Sequence, residues 1–299
     1  MSQLESIFPS GVSDNVVLSG IPVLNTYSGN VFWVDGTAGL DGNIGTKQKP
    51  FKTLAYAIGK CTASKGDIIV LKPGHTETVS AAAGIALSKA GVTVIGLGRG
   101  ASRPTFTFGT STTTSMTIAG AGVKIQNCLF VPSVDAIVAG IQVTASDVQI
   151  VDCEWRDSSS YKTLLPIRTT SAAVVDRLGV VGCKIVQTTA GATAAMSLYG
   201  GDGHIIKGNK IVGDYATSAI VNLTTASTNV YVEGNTIENK NAVAVGITPV
   251  STMTGSIANN FIRLTSGVTY IGSSYCSLFQ NYGVNANGRS GQLIGTVST

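Results

Sequence analysis

The stretch VQIVDCEW, Val148 to Trp155, sets the reading of the whole chain, because versions of it recur along the sequence. Before it stands VKIQNCLF; after it come LGVVGCKI, HIIKGNKI, VYVEGNTI and SIANNFI, and a weaker copy, SLFQNYGV. Aligned on the sixth letter of the quoted stretch, the marker positions are Cys128, Cys153, Cys183, Asn209, Asn235, Asn260 and Asn281, spaced 25, 30, 26, 26, 25 and 21 residues apart. A steady period in the twenties is the signature of a stacked solenoid. Three residues before the marker the column reads Ile125, Ile150, Val180, Ile206, Val232 and Ile257; two residues after it, Phe130, Trp155, Ile185, Ile211, Ile237 and Ile262. The columns beside these are mixed, so side chains alternate in and out on both sides of the marker, and two short strands meet there at a bend.

A third strand per repeat lies upstream, in AGIQVTASDVQI, SAIVNLTTASTNVYV and AVGITPVSTMTGSI. Three short strands per repeat, each about 4.8 Å from its equivalent in the next, describe an all-β, single-stranded right-handed parallel β-helix. At the bend, an asparagine can bond its amide to the copies above and below, whereas cysteine fits the slot with no partner required. Stacked side chains run parallel, so the cysteines are expected to be thiols and not disulfides.

Composition narrows the functional classes. Of 299 residues, 12% are charged and 43% hydrophobic, with a formal net charge of +4; the usual charged share is about 25%. No block of Lys and Arg appears and basic residues do not alternate with aromatics, so nucleic acid is not an expected partner. The start MSQLESIFPSG lacks a basic region followed by an apolar core, which argues against a signal peptide and for synthesis in a host cytoplasm. No apolar run reaches the roughly 18 residues of a membrane span, and no membrane partner is expected. Cys61, Cys128, Cys153, Cys183 and Cys276 form no CxxC, so neither a metal nor another cofactor is expected.

An open solenoid must cover its ends. TKQKPFKTLAYAIGKCTASK, residues 46–65, predicts a helix over the first rung, with Pro50 in its first turn and Phe51, Leu54, Ala55 and Ile58 on one face. The chain then divides into an extended N-terminal arm (1–29), a first strand and capping helix (30–66), the β-helix (67–285) and a C-terminal extension (286–299). The arm is apolar and aperiodic, and Leu4, Ile7, Phe8, Val16, Val17, Leu18 and Ile21 are its candidates for docking on a partner.

VFWVDGTAGLDGNIGTKQKPFKTLAYAIGKC followed by GDIIVLKPGHTETV resembles the opening of the pectate-lyase-like right-handed β-helix proteins common in bacteriophage genomes. The likeness covers about residues 31–80 by motif and extends to about 285 by architecture. It implies the fold and leaves function open among lyases, hydrolases, tailspikes and structural virion parts.

Catalysis by paired carboxylates needs them about 5 to 9.5 Å apart in a groove. The best cluster is Asp152, Glu154, Arg156 and Asp157 with Asp176 and Arg177; from it, Glu154, Asp157 and Asp176 are the alternative catalytic set. Glu154 with Lys184, and Glu233 with Lys207, instead suggest ion pairs one rung apart. The resemblance would imply a trio of aspartates holding calcium beside a basic residue, and no column repeats Asp on neighbouring rungs. DGTAGLDGN reads as turn chemistry rather than a calcium loop. His75 and His204 stand isolated in the sequence, His204 at a rung edge. Tyr161, Tyr199, Tyr215 and Tyr231 are candidates for a saccharide platform.

The expectation is a phage virion structural protein, a capsid decoration or stabilising protein that acts by binding. The alternatives are a tail fibre or tailspike with polysaccharide depolymerase activity, and a free polysaccharide lyase or hydrolase. The partners expected are other virion proteins of capsid or tail, with a homotrimer and a host surface saccharide as further options.

Overall fold

The computed structural model describes residues 29–157, 160–170, 174–222, 224–242, 245–265, 269–285 and 292–294, with the backbone of 17–18 and 21–22. Its strands stack into three parallel sheets wound as a right-handed β-helix. The first sheet has ten strands, from Val31–Val34 to Tyr275–Phe279, and the second also has ten, from Thr76–Val79 to Gln292–Ile294. The third has seven, from Ile85–Leu87 to Val245–Thr248. Each turn runs first sheet, marked bend, second sheet, loop, third sheet, turn, and back to the first sheet one rung on.

The alternation read from the sequence sets the register. Ile125 pairs with Ile150, Ile150 with Val180, and Phe130 with Trp155. The inward rows of the first two sheets are closed to solvent, and Ile85, Met116, Ile141, Ile167, Met196, Ile220 and Ile247 form the matching row of the third. Fully burying each such side chain stabilises by about 1.5–3 kcal/mol. On the second sheet the row carries aromatics from its second strand: Phe106 stacks on Phe130 at 5.7 Å and Phe130 on Trp155 at 4.2 Å.

The first rung is covered as expected, by a shorter helix. The helix α1 spans Leu54–Lys60, with Thr53 as N-cap. Pro50 and Phe51 precede it in extended chain, Phe51 bridging to Val34, so Pro50 is not in a first helical turn. The reason lies in where the orphan N–H groups go. The Asp41 carboxylate accepts from the backbone of Lys52 and Thr53, and that of Glu77 from Leu54, which fixes the start at Leu54. Leu54, Ala57 and Ile58 face the core, while Ala55 is exposed, because the helix begins later than the sequence spacing assumed.

At the other end Gln292–Ile294 runs back antiparallel onto Asn281–Gly283 and covers the last rung's edge. The docking candidates Leu4, Ile7, Phe8 and Val16 lie outside the described residues. For Val17, Leu18 and Ile21 only the backbone is described, as a two-residue antiparallel pair, Val17–Leu18 with Ile21–Pro22.

Candidate functional site

The marked bend is built by a residue the sequence reading passed over, the one just before the marker. Asn127, Asp152, Gly182, Gly208, Gly234, Asn259 and Gln280 all have φ between 48° and 66°. Gly, Asn and Asp populate this left-handed region most readily, and their column is the signal that could have located the bend. The marker residue then turns inward and donates to the carbonyl three residues before the marker of the rung below. Asn209 Nδ2 reaches Val180 O at 2.9 Å, Asn235 reaches Ile206 O at 2.9 Å, Asn260 reaches Val232 O at 2.8 Å and Asn281 reaches Ile257 O at 2.6 Å.

Each amide of Asn209, Asn235 and Asn260 also donates to the Oδ1 of the next, at 2.9–3.0 Å. That Oδ1 in turn accepts the backbone N–H of the marker below it. The thiols follow the same geometry more weakly: Cys183 Sγ lies 3.4 Å from Ile150 O and Cys153 Sγ 3.9 Å from Ile125 O. Cysteine therefore does have a partner in this slot. All five cysteines are free and buried. The Cys153 thiol, with burial, pushes the Cys128 and Cys183 thiols well up, and burial pushes Cys61 to about 12, so these three are not primed as nucleophiles; against burial, bonds from Cys128 and Cys183 hold the Cys153 thiol down, but it is buried away from any substrate.

The structure separates the three candidate acids. Glu154 follows the marked bend. Its Oε1 takes Arg156 Nη2 at 2.9 Å and Lys184 Nζ at 3.2 Å, and its Oε2 takes Arg103 Nη1 at 3.1 Å. Burial raises its pKa, but the bonds from Arg156 and Lys184 outweigh this and hold it below the ordinary glutamate value. Asp157 lies past the far end of that strand and accepts from the backbone of Thr188 and Thr189 one rung on. Asp176 sits in the turn from third to first sheet and accepts from Asp202 N. There Arg177 pairs with Asp147 at 2.6 Å. Lys207 and Glu233 pair at 2.8 Å.

Neither histidine is isolated in space, and both are fully buried. His75 accepts from Gly36 N at 2.9 Å and turns Nε2 toward Glu77, 3.4 Å away. His204 accepts from Leu178 N and faces Gly200 O, and burial lowers its pKa; it is a rung member, not an edge residue. In DGTAGLDGN the Asp35 carboxylate accepts from Thr37 and Ala38, and that of Asp41 from Lys52 and Thr53. Tyr215 is wholly buried, filling the space over Gly213, so the four tyrosines make no platform. Exposed aromatics gather instead at the last rungs, where Phe261 pairs with Tyr282 and Phe279 and Tyr275 lie on the neighbouring sheet.

One groove of about 530 Å³ opens over the marked bends, with Arg99, Arg103, Asp152, Glu154 and Lys184 among its lining. Its wall is the excursion between Gly96 and Thr105, where the marked bends that follow need one or two residues.

No curated protein matches the chain in sequence. Among solved structures it is similar to one titled "Rhamnogalacturonan lyase", at 14% identity and TM-score 0.55, over 79% of this chain and 70% of that one. A second similarity is to the GH136 lacto-N-biosidase from Eubacterium ramulus, at 11% identity and TM-score 0.44, over 86% and 68%. At such identity the first likeness is one of fold. A family model described as "Protein of unknown function (DUF1565)" matches residues 37–275, and the chain belongs to that family.

Proposed function

We propose that this chain acts by binding and not by catalysis, as a structural part of a phage virion in the manner of a capsid decoration or stabilising protein. The observation that carries the non-catalytic part is the state of Glu154. A general acid in a saccharide-cleaving site needs a raised pKa; Glu154 is clamped by three cations and held down. Asp157 and Asp176 are spent on backbone N–H groups at other edges of the solenoid. The virion part draws its support from the resemblance of residues 31–80 to phage β-helix proteins. The exposed Phe261, Phe279, Tyr282 and Leu293 on the last rungs suit an adhesive role.

The test is quantitative mass spectrometry of purified particles from the virus that encodes the chain. Tens to hundreds of copies per particle are expected. Absence from particles, together with release of unsaturated or reducing ends from a polysaccharide panel, would overturn the reading in favour of an enzyme.

A further inference from the structure

We propose that the groove over the marked bends is an oxyanion-binding site, built to hold a phosphate or carboxylate group carried on a small polar molecule. Three cations, Arg99, Arg103 and Lys184, and two carboxylates, Asp152 and Glu154, line it, so the lining is net positive. A volume of about 530 Å³ falls in the range of small-molecule sites, roughly 300–1,000 Å³. Glu154 holds the Arg103 and Lys184 head groups to one point, leaving their remaining N–H groups to a ligand. Guanidinium forks suit planar and tetrahedral oxyanions alike.

The wall that carries Arg99 and Arg103 is fixed in place. The Asn127 amide donates to Gly96 O at 2.8 Å and Gly98 O at 3.0 Å. Ser102 Oγ bonds both the N–H and the carbonyl of Arg99, and Ser102 O accepts from Gly74 N at 2.7 Å. A site whose donors are held before the ligand arrives loses less on binding. Asp152 supplies an acceptor for the hydroxyl groups of the carrier.

Calorimetric titration of the whole protein at low ionic strength tests this, with inorganic phosphate and glucuronate as probes and glucose as the uncharged control. Saturable binding of at least one anion and none of glucose is expected. Tighter phosphate binding names a phosphate-bearing ligand, and tighter glucuronate binding a carboxylate-bearing one. Arg99→Gln, at an exposed position, should weaken binding about tenfold, and Arg103→Gln at least as much. Asp152→Asn keeps a residue that tolerates the left-handed bend and should tighten binding severalfold, which a purely structural role would not do. Arg263→Gln, far along the solenoid, should leave binding unchanged. Absence of saturable binding by either anion, or equal binding by Arg99→Gln and the parent, overturns the proposal.

Discussion

The rungs marked by cysteine and those marked by asparagine share one bend and hold it by different means. In both, a left-handed residue precedes the marker and the marker donates to the carbonyl of the rung below. In the asparagine half, each amide from Asn209 to Asn260 makes two donations and accepts in return, and the inward residues two positions after the markers are isoleucines. In the cysteine half the sulfur bonds are long, and the core beside Cys128 and Cys153 is an aromatic stack, Phe130 on Trp155, which gives way to Ile185 beside Cys183. The repeat thus conserves a backbone geometry within itself, while amide bonding or ring packing supplies the cohesion.

The sharpest break in this comparison is Trp155→Ala. It empties the middle of the cysteine half, fully buried and stacked, and should cost about 3–5 kcal/mol in denaturant unfolding. Asn235→Cys comes next. It strands the N–H and amide of Asn209, and at roughly 1–3 kcal/mol per unsatisfied buried group it should cost several kcal/mol. The reverse exchange, Cys183→Asn, extends the ladder by one rung, since Asn209 Oδ1 already accepts from Cys183 N and Ile150 O, which now takes the Cys183 thiol, would take the new amide. A change within about 1 kcal/mol is expected there, and a loss as large as that of Asn235→Cys would show that the two halves are not interchangeable.

Titration is a gentler probe. Burial raises the folded pKa of Cys61 to about 12, so it contributes stability below the ordinary thiol value, about 8.5, that is lost as pH rises above it. Glu154 and Glu233 have lowered values; their contribution is present above the ordinary glutamate pKa, about 4.3, and is lost as pH falls below it. Unfolding midpoints against pH should therefore form a plateau between about 5 and 8 and fall on both sides, and the alkaline fall should shrink in Cys61→Ala. The smallest effect is Glu233→Gln, which breaks an exposed pair and should leave the unfolding midpoint almost unchanged.

The solenoid was legible because burial imposes a period: the apolar columns around the marker could face only inward, and the register follows them residue for residue. The pairs of Lys207 with Glu233 and Lys184 with Glu154 were legible for the same reason, as partners one rung apart. The helix start was not, because it is set by Asp41 and Glu77, whose carboxylates reach it from 12 and 23 residues away. The groove was hidden too. It depends on the Gly96-to-Thr105 excursion folding over bends that lie up to 88 residues further on, and no local pattern announces that Arg103 and Glu154, 51 residues apart, will meet.

The central claim is that Glu154 is a strut charged at neutral pH and not an acid catalyst. Its side-chain carboxyl can be followed by carbon NMR as pH is lowered, assigned by comparison with Glu154→Gln. A midpoint below the ordinary glutamate value, about 4.3, is predicted; a midpoint near 6, where a saccharide-cleaving general acid is poised, would contradict it.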